Sequence, residues 1–285
     1  MNGSITEKRS IEAAGHPLKL LVLRPRSHSG KLPGVLWIHG GGYRLGFAAM
    51  VHMSRMAPLV RAGKAVVVSP EYRLADSAPY PAALEDCYAA LLWMRDHADE
   101  LGIASDQIFV GGESAGGGLA VATCLLARDR GEVNVAFQMP LYPMLDWRDT
   151  ESSRDNHGRV WNTKRNHWGW HGYLGDLWES GDVPAYASPA LADDLSGMPP
   201  CYTFVSDGEP FFAETLAYVS RLQAAGVTAE CSVYHGDMHA FDMLEPWTRN
   251  AKDATAAFEA HFAAATARYR TVQPDPCTAA PSCAR

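Results

Sequence analysis

The stretch Gln107-Ile108-Phe109-Val110-Gly111-Gly112-Glu113-Ser114-Ala115-Gly116-Gly117 decides how the rest of the chain is read. An apolar run, Gln107 to Val110, leads into Gly112-Glu113-Ser114-Ala115-Gly116, and an Ala-rich helical run from Ala115 to about Arg128 follows. The G-x-S-x-G spacing is that of a sharp turn from strand to helix with the serine held at the bend. Glycine two residues before and two after the serine keeps the bend free of side chains that would crowd it. In a chain with 25 glycines the same five letters also suit an ordinary strand–helix turn, so the surroundings have to separate the two.

Upstream, Gly34-Val35-Leu36-Trp37-Ile38 is a continuous apolar run, as a strand buried on both faces of a parallel sheet requires. It ends at His39-Gly40-Gly41-Gly42-Tyr43. Helical periodicity covers 47–62, and Ala65-Val66-Val67-Val68-Ser69 reads as the next strand. Pro79 and Pro81 open a helix whose Leu84, Cys87, Tyr88, Leu91 and Leu92 fall at i, i+3, i+4, i+7 and i+8, one face against a sheet. Nearer the N-terminus, Ile5 to Ala13 and Leu18 to Leu23 read as two strands about a Gly15-His16-Pro17 turn.

Downstream of the elbow, strands are expected over 133–141, 201–206 and 230–234, with helices over 210–225 and 247–269. Alternating strands and helices with short connections predict a mostly parallel sheet covered on both sides. The alternation fails between about 146 and 187, where Trp147, Trp161, Trp168, Trp170 and Trp178 stand among polar residues and glycines. That is too long for a simple loop and predicts an inserted helical cap over about 147–187. The chain is expected to be one domain over 1–270 with a disordered tail over 271–285.

With 285 residues, 47% of them hydrophobic, the chain can bury a large α/β core. A net charge of −7 argues for solubility and against a nucleic-acid surface. No apolar run approaches the roughly 20 residues of a membrane span. Met1 to Ser10 has no apolar core of a signal peptide, so a cytoplasmic protein is expected. Of the six cysteines, Cys87, Cys124, Cys201 and Cys231 sit in apolar patterns and read as buried free thiols, while Cys277 and Cys283 fall in the tail.

Acyl transfer by a serine needs a base to take its proton, an acid to orient that base, and donors for the oxyanion. Ser114 follows one strand, Asp207 and Glu209 follow the strand at 201–206, and His239 follows the strand at 230–234. Nucleophile, acid and histidine in that order, each on a loop after a strand, match an α/β-hydrolase arrangement. Two carboxylates share the acid loop, and His235 competes with His239 as base. Three glycines after His39 leave backbone amides unshielded, so Gly41, Gly42 and Ala115 are the oxyanion-hole candidates. His39 itself reads as a residue that holds this loop, and Tyr43 as a substrate-binding residue of the pocket wall. His167 and His171, four apart, have a metal-ligand spacing, but no acidic residue is placed beside them and Gly169 weakens the helix. They read as cap surface with no metal, and the tryptophans as the cap's own core, one or two of them lining the pocket.

The sequence resembles the hormone-sensitive-lipase-like family of α/β-hydrolase esterases, the His-Gly-Gly-Gly class. The matching stretches are His39 to Tyr43, Tyr72-Arg73-Leu74 with Pro81 to Asp86, Gly112 to Gly117, Tyr142 to Asp146, Ser188-Pro189 with Pro199-Pro200, and Gly236 to Phe241. The resemblance implies an α/β-hydrolase fold and a serine carboxylesterase for small, short-chain esters, with Ser114, Glu209 and His239 as catalytic residues and no metal or organic cofactor. It also implies a possible homodimer. Two residue-level departures stand out. Glu113 precedes the nucleophile where the family has aspartate, a change expected to be tolerated. Glu209-Pro210 with Glu214 stands where the family has Asp-Pro followed by Glu, which favours Glu209 over Asp207 as the acid. His39 also comes earlier than in relatives with N-terminal helices, so a more open site roofed mainly by 147–187 is expected. Plant hormone receptors resemble the family but lack the catalytic histidine, which this chain keeps; amide or lactone cleavage would fit the same motifs.

Overall fold

The structure is a computed structural model that describes residues 3–274. Two ten-residue strands, β1 (Ser4–Ala13) and β2 (His16–Pro25), pair antiparallel across the Gly15 turn. β3 (Leu32–Ile38) follows, then α1 (Met56–Arg61), β4 (Val66–Pro70), α2 (Ala82–Asp96) and the single turn α3 (Ala98–Leu101). The elbow joins β5 (Ile103–Glu113) to α4 (Ala115–Arg130), and β6 (Phe137–Leu141) comes next. The 147–187 segment carries α5 (Thr163–Leu174) and α6 (Asp176–Ser180). The chain then returns to β7 (Cys201–Ser206), α7 (Phe212–Ala224), β8 (Ala229–Tyr234), the short α8 (Phe241–Leu244) and α9 (Arg249–Arg268).

The strands form one sheet in the order β1-β2-β4-β3-β5-β6-β7-β8. β2 is antiparallel to both neighbours, and β3 to β8 run parallel. Side-chain alternation shows why the central strands are apolar throughout. In β3, Leu36 and Ile38 enter the core on one face while Val35 and Trp37 enter the core on the other. The first face is covered by α2, α4 and α7. On the second, Phe258 and Phe262 of α9 meet Trp37 and Phe109 edge-on at 6.0 Å between ring centroids. α4 is buried nearly all round, which its small residues permit.

Register brings the loops together. Ile38 lies opposite Gly112, so the His39–Gly42 loop and Ser114 leave the sheet at the same edge. Ser206 lies opposite Tyr234, so the loops that begin at 207 and 235 emerge side by side.

The expected helix over 47–62 is broken. A 3₁₀ turn, Ala48–Met53, ends at Ser54, whose hydroxyl donates to the Val51 carbonyl and accepts from the Met56 amide. Such a side-chain bond competes with helix continuation. Asn134 is likewise outside β6, its amide groups bonded to Val272 and Gln273. Thr271 donates to the Asp106 carbonyl at 2.9 Å and Gln273 to those of Ser105 and Asn134. The rest of the expected tail, with Cys277 and Cys283, lies outside the described residues. Cys87, Cys124 and Cys201 are buried free thiols, Cys231 a partly buried one. Among the described residues no helix is long and apolar enough to cross a membrane.

Candidate active site

The bend between β5 and α4 holds Ser114 at φ 57° and ψ −120°, a conformation that a non-glycine residue adopts only where its surroundings impose it. Gly112 and Gly116 make it possible. A Cβ on Gly112 would sit 2.4 Å from the Ile38 carbonyl oxygen, and one on Gly116 2.1 Å from the same oxygen. Backbone, which cannot move aside, therefore excludes any larger residue at both positions.

The Ser114 hydroxyl donates to His239 Nε2 at 2.9 Å, and His239 Nδ1–H donates to Glu209 Oε2 at 2.7 Å. All three are buried, with Glu209 fully so. Burial raises the Glu209 carboxyl above its usual range, with the His239 bond pulling the other way. The same two loops hold a second pair at the surface. Asp207 accepts from the Gly236 amide and from His235 Nδ1, each at 2.9 Å. The Gly236 amide, then His235, holds the Asp207 carboxyl low, and Asp207 raises His235. The His235 side chain is 97% exposed. Of the competing residues, Glu209 and His239 thus lie with Ser114, and Asp207 and His235 do not.

Gly41 and Gly42 take φ of 123° and 60°, left-handed values that favour glycine. Their amides, and that of Ala115 at the first turn of α4, donate to no other backbone group among the described residues. His39 anchors this loop from behind. Its Nδ1–H donates to the Gly40 carbonyl, its ring stacks on Tyr72 at 4.2 Å, and the Tyr72 hydroxyl donates to the His39 carbonyl. Burial lowers the His39 pKa and keeps the ring neutral.

Tyr43 is not a pocket-wall residue. Its side chain turns into the core, stacks on Tyr173 at 4.0 Å and donates from its hydroxyl to the Met144 carbonyl. Trp161 takes the position expected of Tyr43: a Cβ on Gly42 would lie 2.2 Å from its ring. A cavity of about 520 Å³ borders Ser114, His239 and the glycine loop, and Leu45, Met50, Trp161, Trp168, Met243 and Leu244 give it an apolar wall. Trp161 and Trp168 are the two rings of the tryptophan-rich segment that line it. Asp149 lies 2.7 Å from His167 Nε2, an acidic neighbour that the sequence spacing did not reveal, while His171 packs against Trp178. Among the described residues no group of three or more His, Cys, Asp or Glu converges as metal ligands do.

Four residues around His239 and Ser114 were given no role from the sequence. Tyr142 and Phe211 meet the His239 ring edge-on, at 5.0 and 5.1 Å. Tyr142 also donates to Asp242 Oδ1 at 3.0 Å, and Arg55 Nε lies 3.0 Å from Asp242 Oδ2. Tyr142 opens the recognised stretch Tyr142 to Asp146 and Asp242 directly follows the one ending at Phe241; Arg55 and Phe211 carry no local signal. Glu113, the residue before the nucleophile, accepts from the Trp37 indole at 2.9 Å, and burial pushes its carboxyl up to about 8. Glu214 accepts from the Leu145 and Asp146 amides, tying α7 to the loop after β6.

Comparison with known proteins places this geometry among relatives. A family profile described as alpha/beta hydrolase fold matches residues 35–243. The chain is 34% identical over 247 residues to the carboxylic ester hydrolase LipN of Mycobacterium tuberculosis, covering 83% of this chain and 65% of that protein. It is 32% identical to an arylesterase of Saccharolobus solfataricus, covering 83% and 76%. Among solved structures, a bacterial heroin esterase superposes with a TM-score of 0.87 at 35% identity, over 93% of this chain and 85% of that one. An esterase of Pyrobaculum calidifontis gives 0.83 at 34%, over 92% and 86%. The chain spans 65%, 62% and 64% of the length of LipN and the two next curated relatives.

Proposed function

Because the chain belongs to the α/β-hydrolase family, on its hormone-sensitive-lipase-like branch, we propose that it is a serine carboxylesterase acting on small esters with short acyl chains. In this reading Ser114 Oγ attacks the ester carbonyl while His239 Nε2 takes its proton. Glu209 keeps Nδ1 protonated and stabilises the imidazolium without becoming protonated itself. The amides of Gly41, Gly42 and Ala115 receive the oxyanion, each worth on the order of 3 kcal/mol of barrier. His239 then gives its proton to the departing alkoxide, so the alcohol leaves and the acyl group stays on Ser114. Water, deprotonated by the same imidazole, attacks that acyl-enzyme, and collapse releases the acid and restores Ser114. These groups and water account for every bond made and broken, so the proposal calls on no metal or organic cofactor.

The observation that carries the reading is the buried run from Ser114 Oγ through His239 to Glu209, at 2.9 and 2.7 Å. Support for a small substrate comes from the apolar cavity of about 520 Å³, and support for ester chemistry from the names borne by the relatives. The proposal extends to a cytoplasmic homodimer: the described cysteines are free, as in a reducing compartment, and β8 leaves a sheet edge with Val233 exposed on which a second copy would pair. The test is kcat/KM on p-nitrophenyl acetate, butyrate, octanoate and laurate, with Ser114→Ala as control. The expected profile peaks at the two shorter chains and vanishes in the variant; a peak at laurate would overturn the short-chain assignment.

A further inference from the structure

Two carboxyl groups lie buried beneath the reacting pair, with one guanidinium to share. Glu113 directly precedes the nucleophile and is 4% exposed; Asp242, three residues beyond His239, is wholly buried. Arg55 is committed to Asp242 and its surroundings. Its Nε lies 3.0 Å from Asp242 Oδ2, one terminal nitrogen donates to the Asp242 carbonyl and the other to Thr255 Oγ1. Tyr142 donates to the other Asp242 oxygen. Among the described residues, the one side-chain donor bonded to Glu113 is the Trp37 indole N–H. A buried carboxyl with a neutral side-chain donor and a second carboxylate nearby is biased toward its neutral form.

We propose that Glu113 stands under the nucleophile as the neutral acid, a positioning residue whose retained proton leaves the Arg55 guanidinium paired with the Asp242 anion alone. The inference rests on the esterase reading and adds to it a device that the nucleophile motif alone does not require. The charged and titratable groups around Glu113 are Arg55 ahead of α1, Tyr72 after β4, Tyr142 after β6 and Asp242 of α8, with His239 after β8 lining the same cavity. Burial holds both tyrosines well above their usual range, so neither ionises in mildly alkaline solution. Asp242 is also raised by burial, with Arg55 and the Tyr142 hydroxyl pulling it back. For Glu113 burial dominates and Asp242 adds to it, the Trp37 bond and Arg55 opposing, with the balance at about 8. Loss of the proton places a negative charge one residue from Ser114 and two from Ala115, whose amide faces the developing oxyanion. That charge opposes the transition state more than the bound ester, so kcat falls while KM changes little.

The experiment measures kcat and KM on a soluble short-chain ester between about pH 6 and 9.5 for the wild type, Glu113→Gln and Trp37→Phe. Glu113→Gln preserves the neutral shape without a proton to lose. The wild type is expected to lose about tenfold or more in kcat over the alkaline range, with a midpoint near 8. Glu113→Gln should match the wild type at neutral pH and stay flat to the alkaline end. Trp37→Phe, which removes the side-chain bond favouring the carboxylate, should move the midpoint upward. An alkaline fall that persists in Glu113→Gln, a midpoint unmoved in Trp37→Phe, or a wild type flat throughout would each overturn the inference. Should Glu113→Gln fail to fold, the Trp37→Phe shift decides alone. Fluorophosphonate labelling at neutral pH separates the two levels: a protein labelled on Ser114 but lacking the pH signature fails here only, whereas an unlabelled protein fails the esterase reading.

Discussion

Two His–carboxylate pairs grow from neighbouring loops, and depth alone distinguishes them. Glu209 is fully buried with His239, whereas Asp207 holds a histidine that faces solvent. An exposed pair is screened and contributes little, and it has no path to Ser114. Glu209→Gln is therefore expected to lower kcat by about 10³- to 10⁴-fold, as when a triad carboxylate can no longer fix the imidazole tautomer. Asp207→Asn should stay within about threefold of the wild type, in keeping with a surface change. Steady-state kinetics on one aryl ester compare them, and equal losses would remove the assignment of Glu209. Ser114 directly follows β5 and His239 lies in the loop after β8, so chain order alone pointed to one sheet edge for both. Which of two carboxylates two residues apart turns inward depends on loop geometry, and there only the resemblance favoured Glu209. Tyr43 was misread for a related reason: its stack on Tyr173 is a contact between residues 130 positions apart in the chain, invisible to local pattern.

At the scale of elements, the apolar runs fixed strand positions well, because a strand buried on both faces has no polar alternation to confuse it. Helices interrupted by side-chain bonds, as at Ser54, were less legible, since a hydroxyl that caps one turn leaves the apolar periodicity intact. The helix most exposed to test is α9. It covers the face of the sheet opposite α4, and its Phe258 packs on Trp37, the residue that also bonds Glu113. Phe258→Ala should cost about 3–5 kcal/mol of stability through the lost burial and the cavity left behind. Urea denaturation measures this; a loss under about 1 kcal/mol would mean that α9 contributes little to the core.

Over the whole molecule, one edge of the parallel sheet gathers the glycine loop, the elbow and the two loops after β7 and β8, and the tryptophan-rich segment supplies Trp161 and Trp168 to the wall above them. The sequence was explicit about the sheet edge, where adjacent strands end together, and vague about the segment over 147–187, whose irregular path is set by contacts rather than by periodicity. The proposed chemistry turns on one serine, Ser114, whose hydroxyl donates to His239. The most direct measurement is labelling of the native protein with a fluorophosphonate, followed by peptide mapping, alongside Ser114→Ala and His239→Ala. One adduct is expected, on Ser114, absent from Ser114→Ala and slowed at least about a hundredfold in His239→Ala, for want of a base. A native protein that takes up no label, or takes it up on another serine, would contradict it.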